Sequence, residues 1–171
     1  MILDFSRIKN SKNLLAFSGG VDSSALFFLL LNHKIDFDIA IVNYNTREQS
    51  KDEIEYALNL AKEYKKEIFI KDVKLENSSN FEKNARDIRY GFFEQIIKEN
   101  SYETLITAHQ LNDRLEWFLM QLSKGAGLVE LFGIREFEEK KDYKIFRPLL
   151  NVSKDELENY LKENKIKYFI D

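Results

Sequence analysis

Cysteine is absent from the 171 residues, which excludes disulfides, a thiolate zinc site and any cysteine-based catalysis. An excess of positive charge is missing too. The formal net charge is −3, so the chain as a whole lacks the basic face that displaces counterions from a polynucleotide, and any such contact must be a local patch. The lysines gathered at 62, 65 and 66, at 140, 141 and 144, and at 162, 165 and 167 read as solvated helix faces and loop ends. No apolar run is long enough to span a bilayer. The longest, Ala25 to Leu31, is a third of what is needed, and Met1 to Asn13 contains no apolar signal segment, so a cytoplasmic protein with no membrane partner is expected. Proline occurs only at Pro148, and no repeat or low-complexity segment is present.

What is there begins with Ser18-Gly19-Gly20-Val21-Asp22-Ser23-Ser24. This stretch follows the apolar run Leu14 to Phe17, read as a buried strand, and precedes Ala25 to Leu31, read as the body of a buried helix. The first turn of such a helix leaves N–H groups without acceptors and carries the positive end of the macrodipole, so an anion fits there. Gly19 and Gly20 let a ligand approach the main chain, and the hydroxyls of Ser18, Ser23 and Ser24 add donors. The lysine of a Walker loop is missing, and so is the spacing of a dinucleotide fingerprint. A helix merely capped by Asp22 or Ser23 after a glycine turn is the bland alternative.

Further strands are expected at Asp38 to Asn43, Glu67 to Lys71 and Thr104 to Ala108. Helices are expected at Ser23 to Leu31, Gln49 to Tyr64, Phe81 to Asn100 and Asp113 to Ser123. Alternation of this kind predicts an α/β fold, a parallel sheet with helices on both faces. Residues 135 to 143 read as an exposed hairpin or loop, and Ser153 with Glu156 forms a capping box for a helix from Lys154 to about Asn164. The apolar Tyr168-Phe169-Ile170 so close to the last residue suggests the leading part of a longer chain.

In an open parallel sheet, ligands sit beyond the carboxyl ends of the strands. Three polar clusters land on that rim: residues 18–24, Asn43 to Arg47, and His109 to Glu116. Asp113 and Glu116 lie one above the other on a first helical turn, placed either to hold Mg²⁺ through water or to serve a capping box after Asn112, and local sequence leaves both open. His109 at a strand end is commonly structural, but the rim position favours ligand contact. The helix from Phe81 carries an apolar stripe at Phe81, Ala85, Ile88, Phe92 and Ile96, with Arg86 and Arg89 on its flank. Their partner is either an acidic side chain or, as the other clusters favour, phosphate or RNA.

The loop at 18–24 resembles the PP-loop of the ATP pyrophosphatases, which cleave ATP between its α and β phosphates to adenylate a substrate oxygen. Taken with Arg86, Arg89 and Tyr90, the rim from His109 to Trp117, the turn at Lys124, Gly125 and Gly127, and the segment Arg147-Pro148-Leu149-Leu150, the chain resembles the tRNA(Ile)-lysidine synthases. Gln110, Asn112, Arg114 and Trp117 replace the His, Asp, Gln and Thr usual in that family, and Tyr44 stands where a histidine is usual, whereas Arg47, Ser50 and Glu53 fit.

The resemblance implies one PP-loop domain over 1–171, built on a five-stranded parallel sheet and continued in the family by a tRNA-binding region. It implies ATP and Mg²⁺ as cofactors, and as partners free L-lysine and an isoleucine tRNA with a CAU anticodon; a homodimer is left open. The expected reaction adenylates the C2 oxygen of the wobble cytidine and then lets the lysine amine displace AMP. Implied phosphate or nucleotide contacts are Ser18, Gly19, Gly20, Val21, Asp22, Ser23, Ser24, Asn43 and Arg47. Asp22 and Asp113, with Glu116, are expected around Mg²⁺ or the amine, and Arg86, Arg89 and His109 at the reacting groups. Sulfur-inserting relatives generally rely on cysteines that are absent here. Ammonia-dependent ligases of the NAD synthetase kind share the loop but lack the Arg86–Tyr90 and Arg147–Leu150 segments. A nucleotide-binding module without catalysis would need the loop alone.

Overall fold

A computed structural model describes residues 3–45, 49–73, 81–125, 127 and 133–170. Its frame is a six-stranded sheet of β1 (Asn13–Ala16), β2 (Asp38–Asn43), β3 (Ile68–Asp72), β4 (Thr104–Ile106), β5 (Phe137–Glu139) and β6 (Lys144–Phe146), in the order β3-β2-β1-β4-β6-β5. All pairings are parallel except β5 with β6. Among the described residues the α-helices are α1 (Val21–Asn32), α2 (Gln49–Glu63), α3 (Phe81–Asn100), α4 (Leu111–Ser123) and α5 (Lys154–Glu163). The expected parallel sheet is present, with one antiparallel strand added at its edge.

Alternation along each strand sorts the core into two layers, because successive side chains point to opposite faces. Leu15, Ile39, Ile41, Ile106 and Phe146 pack with α1, α2 and α5. Leu14, Ala40, Leu105 and Ile145 pack with Phe93, Ile96 and Ile97 of α3. α1 lies between sheet and α5, so it is apolar nearly all round, with Ala25, Leu26, Phe27 and Leu30 fully buried. The α3 stripe is corrected in part: Ile96 is buried as expected, joined by Phe93 and Ile97, while Ala85, Ile88 and Phe92 are only half-buried. Only the second half of α3 presses fully on the sheet.

The segment read as a hairpin or loop is a hairpin, and its return strand β6 joins the sheet beside β4. Arg147 explains how a charged hairpin is held. Its guanidinium is buried, donating from Nη1 to the Arg135 carbonyl at 3.0 Å and from Nη2 to Glu138 Oε2 at 2.8 Å. Against the upward push of burial, hydrogen bonds from Lys140 and Arg147 hold the Glu138 carboxyl below its ordinary range. Phe137 stacks on Phe146 at 4.3 Å, sealing the same corner.

The chain has six glycines and ends α4 on one of them, Gly125 with φ +68, but ends its other described α-helices on other residues. Lys34, Lys65, Ser101 and Lys165, following α1, α2, α3 and α5, all have φ between 53° and 57°. After each, the next amide closes back onto the last turn: Ile35 to Leu30, Lys66 to Ala61, Tyr102 to Ile97 and Ile166 to Leu161. A side chain in that left-handed region carries a strain that glycine avoids. Replacing Lys65 and Lys165 by glycine is therefore expected to stabilise the fold by about 0.5–1 kcal/mol each, read as a rise in the urea midpoint with an unchanged slope.

Candidate active site

The chain runs β1, β2, β3 to one side and then crosses to β4 on the other, so the strand order reverses between β1 and β4. A crevice must open there beyond the carboxyl ends of the strands. A cleft of about 800 Å³ occupies this place, lined by Ser18, Gly20 to Ser23, Asn43, Tyr44, Arg89, Thr107 to His109 and Asp113 among others.

Its floor is the loop after β1. Gly19 has φ +83, and a Cβ there would sit 3.4 Å from the Phe169 ring and 3.6 Å from Glu53, ordinary contact distances, so it is the backbone conformation that selects glycine. The buried Ser23 hydroxyl gathers the turn. It accepts from the Ser18 and Gly19 amides at 3.2 and 3.1 Å and lies 3.0 Å from Ser18 Oγ. Ser24 Oγ donates to the Gly19 carbonyl at 3.1 Å. The N-cap of α1 is Gly20, whose lack of a side chain leaves the helix start without a side-chain cap. The bland alternative of a cap by Asp22 or Ser23 is thereby set aside. Ser23 closes the loop from below, and the helix start faces the cleft.

The wall after β4 is built around a cap other than the expected one. α4 begins at Leu111, and its N-cap is Gln110, whose Oε1 accepts from the Asn112 amide at 2.7 Å. Asp113 Oδ2 accepts from the Gln110 amide at 2.7 Å, completing a capping box. Asn112 is therefore not the cap. Asp113 fills that role and still lines the cleft. Glu116, its expected companion, is exposed and is not among the lining residues. Among the described residues no group of three His, Asp or Glu side chains stands close enough to hold a metal ion.

His109 Nδ1 is 2.9 Å from Thr107 Oγ1. Desolvation pulls its pKa down from 6.5 to about 4; the Asp113 carboxylate opposes this, while Arg147, Arg89 and Arg86 reinforce it. The imidazole is neutral at pH 7. Arg86 and Arg89 are both exposed; Arg89 lines the cleft, whereas Arg86, one turn away, does not, and its guanidinium is 5.3 Å from the centre of the Tyr90 ring. Asn43 Nδ2 donates to Asp72 Oδ1 at 2.7 Å, and its Oδ1 accepts from the Asn45 amide at 3.0 Å, holding the exit of β2. Tyr44 donates to the Ala85 carbonyl at 2.8 Å, which ties that exit to α3. Arg47 lies outside the described residues.

The rim rule alone does not reach the far wall. Lys154, Glu158 and Lys162, one turn apart on α5, line the cleft with Tyr168 and Phe169. The Phe169 amide donates to the Gly19 carbonyl at 2.9 Å, and Tyr56 donates to the Lys167 carbonyl at 2.6 Å. The i, i+4 spacing of Lys154, Glu158 and Lys162 was visible, but it shows a shared face and not what that face meets.

The phosphate-type loop at the switch point of a parallel sheet defines a class, and the comparison with protein families agrees: a model described as PP-loop domain matches residues 2–171, and the chain belongs to that family. It is 56% identical over 164 residues to the tRNA(Ile)-lysidine synthase of Campylobacter jejuni, covering 96% of this chain and 51% of that protein. Against the tRNA(Ile)-lysidine synthase of Helicobacter pylori it is 52% identical, covering 96% and 48%. The chain thus spans about half the length of the curated relatives it matches. Among solved structures, a U34-tRNA thiolase from Methanococcus maripaludis superposes with a TM-score of 0.78 at 23% identity, over 98% of this chain and 61% of that one. The NH3-dependent NAD synthetase of Campylobacter jejuni gives 0.58 at 18%, over 94% and 68%. These two likenesses show the fold. No described helix is long and apolar enough to cross a membrane.

The pH response of His109 follows from its burial. Above pH 6.5 the ring is neutral folded or unfolded, so stability is at its full value. Between 6.5 and about 4 the unfolded chain takes the proton first and stability falls; below about 4 this group contributes no further slope. Urea denaturation of wild type and His109→Gln from pH 4 to 7.5 is expected to show the extra downward slope in the wild type alone.

Proposed function

We propose that the chain carries the catalytic half of a tRNA(Ile)-lysidine synthase, joining lysine to C2 of the wobble cytidine of an isoleucine tRNA with a CAU anticodon at the cost of ATP. The observation that carries this reading is the convergence of the phosphate-type loop, Arg89 and the His109–Asp113 pair on one cleft, in a chain more than half identical to proteins of that name.

The α1 amides and the loop hydroxyls bind the ATP phosphates, and the helix dipole favours the charge that builds on pyrophosphate as it leaves. Ile41, Val42 and Phe93 give the cleft an apolar part suited to a base. Asp22 and Asp113 both line the cleft, and two carboxylates with substrate phosphates are a donor set suited to Mg²⁺. That ion would neutralise phosphate charge when bound. Glu116 does not join the set. Arg89, always charged, faces the cleft to hold an α-phosphate or a tRNA phosphate, with Arg86 behind it. Neutral His109 offers a hydrogen bond to the polarised C2 oxygen without adding charge. Asp113, beside it, attracts the ammonium of lysine; once that group has given a proton to solvent, the free amine attacks C2, and the C2–O bond breaks as AMP departs with the oxygen. The protein acts in the cytoplasm on tRNA.

Asp113 has two duties, and one substitution separates them. Asp113→Asn keeps an oxygen able to accept from the Gln110 amide and removes the charge. Lysine incorporation into a CAU-anticodon tRNA is expected to fall by more than about 100-fold, roughly 2.7 kcal/mol, with the thermal midpoint unchanged. Full activity in Asp113→Asn would remove the carboxylate from the mechanism. Pyrophosphate release with neither tRNA nor lysine present would instead favour an ammonia-dependent ligase.

A further inference from the structure

The cations that line the cleft, Arg89, Lys154 and Lys162, reach it from opposite faces of the sheet. Arg89 belongs to α3, which packs on the layer of Leu14 and Ala40, whereas α5 packs with α1 on the layer of Leu15 and Ile39. The lysines of α5 are therefore the cations on the side where α1 begins. The loop at 18–24 has no lysine of its own, the residue with which a Walker loop grips the outer phosphates of a nucleotide. α5 is firmly seated. Leu157 and Leu161 are fully buried in the layer shared with α1, and just before the helix the Val152 carbonyl accepts from the Leu111 amide at 3.0 Å. The backbone under Lys154 and Lys162 is fixed at the cleft, and only their stems adjust.

The two lysines differ. Lys162 Nζ is 3.2 Å from Glu158 Oε2, an i, i+4 pair that meets its charge within the helix. Among the described residues Lys154 has no ion pair. Its place is also unusual, because Lys154 is the first residue of α5, at the positive end of the helix dipole, where an anion is favoured and a cation is not. Asp155 and Glu156 obey that rule, and the Ser153–Glu156 box completes the cap without Lys154. A charge that works against its own helix, lacks a partner and faces a cleft marks a position that serves a ligand and not the fold.

We infer that Lys154 holds the two outer phosphates of the nucleotide over the start of α1, supplying from a distant helix the cation that the loop lacks; this rests on the reading of the cleft as an ATP site. In the adenylation step the substrate oxygen bonds to the α-phosphorus and the bond from that phosphorus to the bridging oxygen breaks. The electron pair leaves with pyrophosphate, and the Lys154 ammonium meets the charge that results. Lys162, already paired with Glu158, contributes less.

Titration calorimetry of the 171-residue chain with a non-hydrolysable ATP analogue and with AMP tests this, since only the first carries outer phosphates. Lys154→Gln is expected to weaken binding of the analogue about 30-fold and of AMP less than about twofold. Its thermal midpoint is expected to equal or exceed that of wild type, because a charge disfavoured at a helix start has gone; a merely structural role would lower it. Lys154→Arg is expected to restore most of the affinity. Lys162→Gln is expected to cost less than Lys154→Gln, and Lys165→Gln, away from the cleft, to change neither affinity. Unchanged affinity for the analogue in Lys154→Gln, an equal loss for both nucleotides, or a larger loss in Lys162→Gln would overturn the inference alone. A wild type that binds neither nucleotide would overturn it together with the reading of the cleft.

Discussion

Everything at the cleft depends on how the backbone turns between β1 and α1. Gly19 holds a φ closed to most residues, and three contacts keep it there: the Ser23 hydroxyl on its amide, with the Ser24 hydroxyl and the Phe169 amide on its carbonyl. The turn is satisfied from within and from the far end of the chain. No ligand is needed to shape it, so little ordering remains to oppose binding. Its packing is equally committed, because α1 is buried between sheet and α5 and cannot tilt without opening both core faces.

From that fixed point, the topology does the gathering. Crossing from β3 over to β4 puts the reversal of strand order beside the loop, and the tips of β2 and β4 deliver Asn43, Tyr44, His109 and Asp113 to the same opening. The electrostatic character is mixed. Acidic Asp22 and Asp113 and basic Arg89, Lys154 and Lys162 all face one space, which suits a ligand carrying phosphates and a second that is cationic. His109, held neutral by its burial, lines the same space.

The loop and the parallel architecture were legible in the sequence because both are local: glycines and serines between an apolar strand and an apolar helix need no tertiary information. The Ser153–Glu156 capping box was legible for the same reason and is present with both hydrogen bonds. At α4 local reasoning placed the helix but not its cap, since Gln110 is a less common N-cap than Asn112 and wins only because Asp113 then completes the box. Of the α3 stripe, Ile96 is buried as expected, but Phe93 and Ile97 share the core with it while Ala85, Ile88 and Phe92 are only half-buried. Arg147 reads in sequence as part of a motif, and in the structure it is a buried clamp on the β5–β6 hairpin. The α5 wall was invisible because a helix's spacing names its faces and says nothing of its neighbours.

The central claim, that nucleotide phosphates rest on the start of α1, is tested most directly by a crystal structure of the chain with a non-hydrolysable ATP analogue bound. The account predicts the triphosphate within hydrogen-bond reach of the amides of residues 21 to 23 and of the Ser18 hydroxyl, with Asp113 and Arg89 facing it. A nucleotide bound elsewhere, or a triphosphate held away from those amides, would contradict it.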